Sequence, residues 1–163
     1  MEIHVNALME HHLTPADIMA LPAKLKTLHH ELLGNEWNWI EEPHDADWIQ
    51  ESWALPADYF TTGPGSIEDL VMLEGNGLSI WFVNARLLMF DTGLLWKNYQ
   101  SGGTAQERFN ETAQALASLL GVTNMFAVPD LPSISLLDEA KDVQLKDFRK
   151  KLQESKVRWM EIR

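Results

Sequence analysis

The sequence of 163 residues predicts one α+β domain over residues 1–163, with a small, mostly antiparallel sheet packed against several helices. Three observations lead to this class. The length suits one domain, apolar and aromatic-rich runs of strand length occur in the second half, and helical runs surround them without a regular βαβ rhythm. An apolar fraction of 45% and a charged fraction of 23% are ordinary for a globular protein.

Helices are expected near the N-terminus. Residues 1–13 are ambiguous between helix and strand, and helix is the preferred interpretation. Thr14 then provides an N-cap, and Pro15 the first helical position, for a short helix that ends near Pro22. A second helix is expected to start at Pro22, because leucines recur there at helical intervals, and to end before Gly34.

The tryptophan-rich part of the chain predicts short elements. Residues 37–40 alternate between apolar and polar side chains, as a short strand does. Asp45 fits the N-cap of a helical turn or two that follows it. Further on, Ser66 and Asp69 resemble a capping box, which predicts a short helix over residues 67–73.

Residues 78–91 predict a β-hairpin with Asn84 and Ala85 at its turn, because the two runs on either side are rich in apolar and aromatic side chains. The apolar residues do not alternate strictly, which predicts that both faces of these strands are covered. A third strand is expected at residues 123–128, followed by Pro129.

A longer helix is expected between the hairpin and the third strand. Thr104 and Glu107 match a capping box, and glycine at position 121 marks the end of the helix. A further short helix is expected near residues 136–141.

The C-terminal region differs from the rest of the chain in charge, since residues 131–163 carry six acids and eight bases. A charged helix is expected there, and residues 157–162 either continue it or form an edge strand. This region would also allow a homo-oligomer, in which it contacts the acidic N-terminal region of a second copy. The apolar face of the helix is formed by Leu145, Phe148 and Leu152.

The residue types that are missing limit the possible chemistry and location. The absence of cysteine excludes disulfides, thiolate nucleophiles and cysteine-ligated zinc. The first 30 residues lack the apolar region of a signal peptide, and no apolar run approaches the roughly 18 residues that a spanning helix needs. We therefore expect a cytoplasmic protein.

The formal net charge of −11 is concentrated in the first part of the chain, where residues 1–62 carry eleven acids and two bases. Such a chain repels phosphate backbones and anionic lipids, so neither nucleic acid nor a membrane is expected as a partner. The simpler interpretation is that the acidity only keeps the protein soluble. The alternative is that it attracts a partner, and the possible partner is then a basic protein.

No catalytic motif is recognisable. A G-x-S-x-G pattern is missing, and none of the glycine clusters is followed by lysine, as a phosphate-binding loop requires. The six histidines lie within the first 44 residues, but their spacing fits no metal-ligand motif, so neither a metal site nor a cofactor is predicted. The alternative is an enzyme, a metal-assisted or carboxylate-based hydrolase whose site assembles only in the fold, with Asp91 and Arg86 as one place to look.

Residues 34–53 are the strongest candidate for a binding surface. They hold four of the seven tryptophans and six carboxylates, with no lysine or arginine. Trp37 and Trp39 are interpreted as core residues, because tryptophan is usually highly buried. The preferred interpretation extends this to most of the set, with the carboxylates on a solvated turn. The alternative is an acidic surface in which one of Trp48 and Trp53 is exposed, since tryptophan is favoured at binding hot spots and its ring attracts Lys and Arg. The candidate binding residues are Trp48, Trp53, Glu41, Glu42, Asp45 and Asp47.

The leading hypothesis is a small, acidic, non-catalytic protein-binding protein. It would act as an inhibitor, an immunity-like protein or an adaptor, and would engage a basic partner through its acidic, tryptophan-rich N-terminal region. Besides the enzyme, a small-ligand-binding domain with a tryptophan-lined pocket remains an alternative.

Overall fold

The computed structural model describes residues 3–53, 71–129, 145–155 and 158–162. The strands are β1 (His4–Glu10), β2 (Asn38–Trp39), β3 (Met72–Gly75), β4 (Leu78–Phe82), β5 (Leu87–Leu95), β6 (Met125–Pro129) and β7 (Met160–Glu161). The helices are α1 (Pro15–Leu28), α2 (Ala46–Trp53), α3 (Trp96–Gln100), α4 (Thr104–Leu120) and α5 (Leu145–Ser155).

The seven described strands form one antiparallel sheet in the order β2-β3-β4-β5-β1-β6-β7. The predicted α+β class is confirmed, although the sheet is larger than a hairpin and one further strand. The outermost strands, β2 and β7, have two residues each, and such short edges offer little backbone for pairing with another chain.

Strand β1 lies inside the sheet, between β5 and β6, so the helix preferred for residues 1–13 is wrong. Val5 and Met9 face one side of the sheet and Leu8 faces the other, and all three are fully buried. Ala, Leu, Met and Glu favour helices by propensity, but pairing with two strands and burial on both faces outweigh that preference.

Each face of the sheet carries its own core. The larger core joins one face to the helices, with Ile18 from α1, Ile49 from α2 and Leu116 from α4. The smaller core, on the other face, includes Leu145 and Leu152 of α5. Both faces are therefore covered, as the patterning of residues 78–91 predicted, and the sheet residues of the smaller core are Leu8, Leu87, Met89, Phe126 and Val128.

The sheet contains two short hairpins. The β4–β5 hairpin is confirmed, and the side-chain oxygen of Asn84 accepts hydrogen bonds from the backbone N–H groups of Arg86 and Leu87, both at 2.8 Å. Asn76 and Gly77 form the β3–β4 turn with φ angles of 56° and 77°, as an Asn-Gly hairpin turn requires. Strand β3 also includes Met72 and Leu73, so the helix predicted over residues 67–73 is wrong at its end.

Helix α1 confirms its predicted start but not its predicted end. Thr14 and Asp17 form a capping box. The two expected helices are one, which continues through Pro22 and ends at a left-handed His29 with φ 46°. The buried residues on either side of Pro22, Leu21 and Leu25, hold the chain against the larger core through this point.

The later helices also differ in detail from the prediction. The expected capping box at Thr104 is wrong, because Gly103 is the N-cap of α4 and supplies no side chain, whereas Gly121 ends the helix as predicted. Helix α3 was not expected, and the strand alternative for the C-terminal residues is confirmed by β7. The cap predicted at Ser66 and the helix predicted over residues 136–141 lie outside the described residues.

Candidate partner-binding surface

Buried side chains hold residues 37–49 against the rest of the protein. Trp37 is fully buried, and its indole N–H donates a hydrogen bond to the carbonyl oxygen of Leu33 at 3.1 Å. Pro43 and Ile49 are buried further along the segment. The interpretation of Trp37 as a core residue is confirmed, and the half-buried Trp39 packs against the larger core.

The backbone of this segment is also tied to the sheet. Trp39 pairs with Leu73 of β3, and the N–H of Ile40 donates a hydrogen bond to the carbonyl oxygen of Met72 at 3.1 Å. Gly75 allows the chain to pass close to β3, because a Cβ atom at this position would overlap the carbonyl group of Glu36. These contacts fix the position of the segment that carries the exposed acidic residues.

Helix α2 begins with acidic side chains that stabilise it. The carboxylate of Asp45 accepts a hydrogen bond from the backbone N–H of Trp48 at 2.9 Å, which confirms the predicted N-cap. Asp47 lies in the first turn, where a negative charge interacts favourably with the helix dipole. Asp45 therefore has a structural role as well as a charge.

Trp48 and Trp53 are both half-buried, and both pack against the larger core. Trp53 shares the inner face of α2 with the fully buried Ile49. The Trp53 ring lies 6.1 Å from that of His11, and its indole N–H is buried without a hydrogen-bond acceptor. Each tryptophan therefore leaves only part of its surface available for a partner.

The four predicted carboxylates, Glu41, Glu42, Asp45 and Asp47, are exposed. No described Lys or Arg side chain lies within ion-pair distance of any of them. The ion pairs among the described residues are His4–Asp91, His12–Glu10 and Arg149–Glu161. We call the four carboxylates, together with Trp48 and Trp53, the acidic surface.

His11 links this region to the sheet, although the sequence did not single it out. Its ring is fully buried, with Nε2 donating to the carbonyl oxygen of Asn84 at 2.9 Å and Nδ1 accepting from the N–H of Leu13 at 3.2 Å. Burial lowers the pKa of His11 below its ordinary value of 6.5. A neutral imidazole with both nitrogens engaged stabilises the fold, and contacts with the rings of Phe82 and Trp53 extend that role to α2.

Asp91 forms a His–carboxylate pair in another part of the sheet. Its Oδ2 lies 3.2 Å from Nδ1 of His4, and its Oδ1 accepts a hydrogen bond from the N–H of Gly93 at 2.7 Å. Both side chains of the pair are about one-third exposed, at 35% and 31%, which fits a surface interaction between β1 and β5. Among the described residues, no group of three or more histidine or carboxylate side chains could hold a metal ion.

Two clefts of about 430 Å³ share no residue with the acidic surface. One contains tryptophans and is lined by Trp96, Gln100, Arg158, Trp159 and Met160. The other lies between the β3–β4 turn, β5 and α4, and includes Arg108. Sequence reasoning missed both, because their linings come from segments that are far apart in the chain.

No protein-family model, curated protein or solved structure matches the chain. Within the described parts of the chain, no helix is both long enough and apolar enough to cross a membrane.

Proposed function

We propose that this protein is a non-catalytic binding protein that engages a basic protein through the acidic surface, as an inhibitor, an immunity-like protein or an adaptor. The observation that carries the proposal is a group of four exposed carboxylates that no described basic side chain neutralises. Charges of one sign on a surface attract an oppositely charged protein and accelerate its association.

The anchoring of the segment supports the same function. Trp37 and Ile49 are fully buried on either side of the exposed carboxylates, so the surface is already ordered before a partner arrives. A pre-ordered surface loses less conformational entropy on binding. The exposed parts of Trp48 and Trp53 add apolar area beside the charges.

The test compares two variants with the same net charge. The acidic-surface variant combines Glu41→Gln, Glu42→Gln, Asp45→Asn and Asp47→Asn, and asparagine at position 45 keeps a side chain that can cap α2. The control variant replaces four exposed glutamates elsewhere with glutamine, namely Glu74, Glu107, Glu111 and Glu154.

Immobilised parent and variant proteins are used to capture basic proteins from a cell extract, and the Kd of a captured protein is then measured at low and high salt. The parent and the control variant should bind the same basic protein, with an affinity that falls as salt rises. The acidic-surface variant should bind roughly tenfold more weakly or worse. Equal affinity of the two variants would contradict the proposal.

A further inference from the structure

The cleft between the β3–β4 turn, β5 and α4 is bordered by a positively charged side chain, whereas the acidic surface carries negative charges. Its volume of about 430 Å³ lies within the roughly 300–1,000 Å³ that is typical of small-molecule sites. About half of its wall is apolar. The apolar side chains that line it include Leu32, Leu78, Leu94 and Phe109.

Arg108 is the only charged side chain among the described residues that line this cleft, in a chain of net charge −11. It is exposed and takes part in none of the ion pairs found among the described residues. Glu107 and Glu111 flank it on α4, but their carboxylates lie beyond ion-pair distance. An unpaired guanidinium therefore borders a cleft that no described carboxylate lines.

Two hydroxyl groups and two glycines also line the cleft. The hydroxyl of Thr112 donates a hydrogen bond to the carbonyl oxygen of Arg108 at 2.7 Å, and Thr92 contributes a second hydroxyl group to the cleft. Gly77 and Gly93 also line it, and a Cβ atom added at either position would meet nothing within 4 Å. The backbone on this side therefore borders open space.

We propose that this cleft binds a small organic carboxylate with an apolar body. The planar guanidinium of Arg108 matches a carboxylate through two parallel hydrogen bonds, which a neutral amide cannot reproduce with the same strength. Phe109 and the neighbouring leucines provide the apolar contact. The site is separate from the acidic surface, and its occupation does not depend on a protein partner.

The test is a titration of ¹⁵N-labelled protein with 3-phenylpropionate, indole-3-acetate and octanoate, followed by NMR. The amide signals of Gly77, Gly93 and Ala105 report on the cleft. At least one carboxylate should give saturable shifts at these positions, with a Kd roughly tenfold or more below that of its neutral amide. Saturation by none of the three, or equal affinity for acid and amide, would overturn the proposal.

Two pairs of variants show whether the cleft itself is responsible. Arg108→Gln should weaken binding roughly tenfold or more, whereas Lys97→Gln, which removes an exposed positive charge from α3, should change it less than about twofold. Ala105→Met should block the cleft, and Ser118→Met, at an exposed position of α4, is the matched control.

Inorganic phosphate provides the remaining comparison. The proposal predicts that phosphate binds more weakly than the best carboxylate, because it cannot use the apolar wall. If phosphate binds as tightly, with the same dependence on Arg108, the inferred ligand class is wrong.

Discussion

The acidic surface and helix α5 are both rich in charged side chains, but their charges have different surroundings. In α5, a nitrogen of Arg149 lies 3.1 Å from a carboxylate oxygen of Glu161, and its guanidinium carbon lies 5.8 Å and 5.5 Å from the ring centres of Phe126 and Trp159. The carboxylates of the acidic surface have no described basic partner. Arg149 therefore has partners within the protein, whereas the four carboxylates have no Lys or Arg partner among the described residues, and this difference is the reason for proposing the acidic surface as the binding site.

The largest expected effect concerns the anchoring of the acidic surface. Replacing the fully buried Trp37 with alanine should lower the free energy of unfolding by about 3–5 kcal/mol, because it removes a large core side chain and leaves a cavity. Asn38→Ala, at the exposed neighbouring position, should change it by less than about 0.5 kcal/mol. Denaturant titration measures both values, and similar values for the two variants would mean that Trp37 does not anchor the segment.

His11 should show the next largest effect. His11→Leu removes the acceptor for the N–H of Leu13 and the donor to the carbonyl oxygen of Asn84. A buried polar group left without its partner costs about 1–3 kcal/mol, and this loss should appear in denaturant titrations near pH 7.5. His12→Gln is the matched control, since the side chain of His12 is 72% exposed.

The pH dependence of stability provides a separate test of His11. Because its pKa is lowered on folding, the unfolded chain binds the proton more readily. The contribution of His11 is therefore complete above the unfolded pKa of 6.5, and it is lost as the pH falls from there towards the folded pKa. The decrease in stability below pH 6.5 should be smaller in His11→Leu than in the parent or in His12→Gln, and an equal decrease in all three would contradict this account.

Substitution of Arg149 tests whether the paired charge of α5 stabilises the protein. Arg149→Met should destabilise the protein by about 1–2 kcal/mol, because it removes the ion pair with Glu161 and the cation–π contacts with two rings. Lys150→Met removes a charge from an exposed neighbouring position and should have little effect. Thermal or denaturant unfolding distinguishes the two, and equal stabilities would show that the contacts of Arg149 do not stabilise the fold.

The smallest effect on stability is expected for the acidic-surface variant. Replacing the four carboxylates with amides should change the free energy of unfolding by less than about 1 kcal/mol, because no ion pair within the described residues is lost and asparagine at position 45 still caps α2. The relief of like-charge repulsion offsets the lost interaction of Asp45 and Asp47 with the helix dipole. A loss well above about 1 kcal/mol in denaturant titration would show that these charges stabilise the fold beyond the start of α2.

Sequence reasoning succeeded where the signal is local. Thr14, Asp45 and Gly121 lie at the helix ends where their capping chemistry places them. The β4–β5 hairpin followed from two apolar runs around Asn84. In each case the residues that form the structure are neighbours in the chain.

One failure is local, because Gly103 and not Thr104 is the N-cap of α4. The failures at β1, His11 and the cleft around Arg108 have another cause, which is that contacts between distant segments decide the outcome. The conformation of β1 depends on pairing with β5 and β6, and its own residues favour a helix. The environment of His11 includes Asn84, 73 positions away. The cleft around Arg108 likewise combines Leu32 with residues of β5 and α4, so no local pattern could have indicated it.

The measurement that tests the central claim most directly is the quenching of Trp48 fluorescence by caesium and by iodide. The signal of Trp48 is the difference between the parent and a Trp48→Phe variant. The account predicts that caesium quenches Trp48 more efficiently than iodide, because the exposed carboxylates around it attract cations. This preference should persist in the control variant and disappear in the acidic-surface variant. Equal quenching by the two ions in the parent, or an unchanged preference in the acidic-surface variant, would contradict the claim that these carboxylates form a negatively charged binding surface.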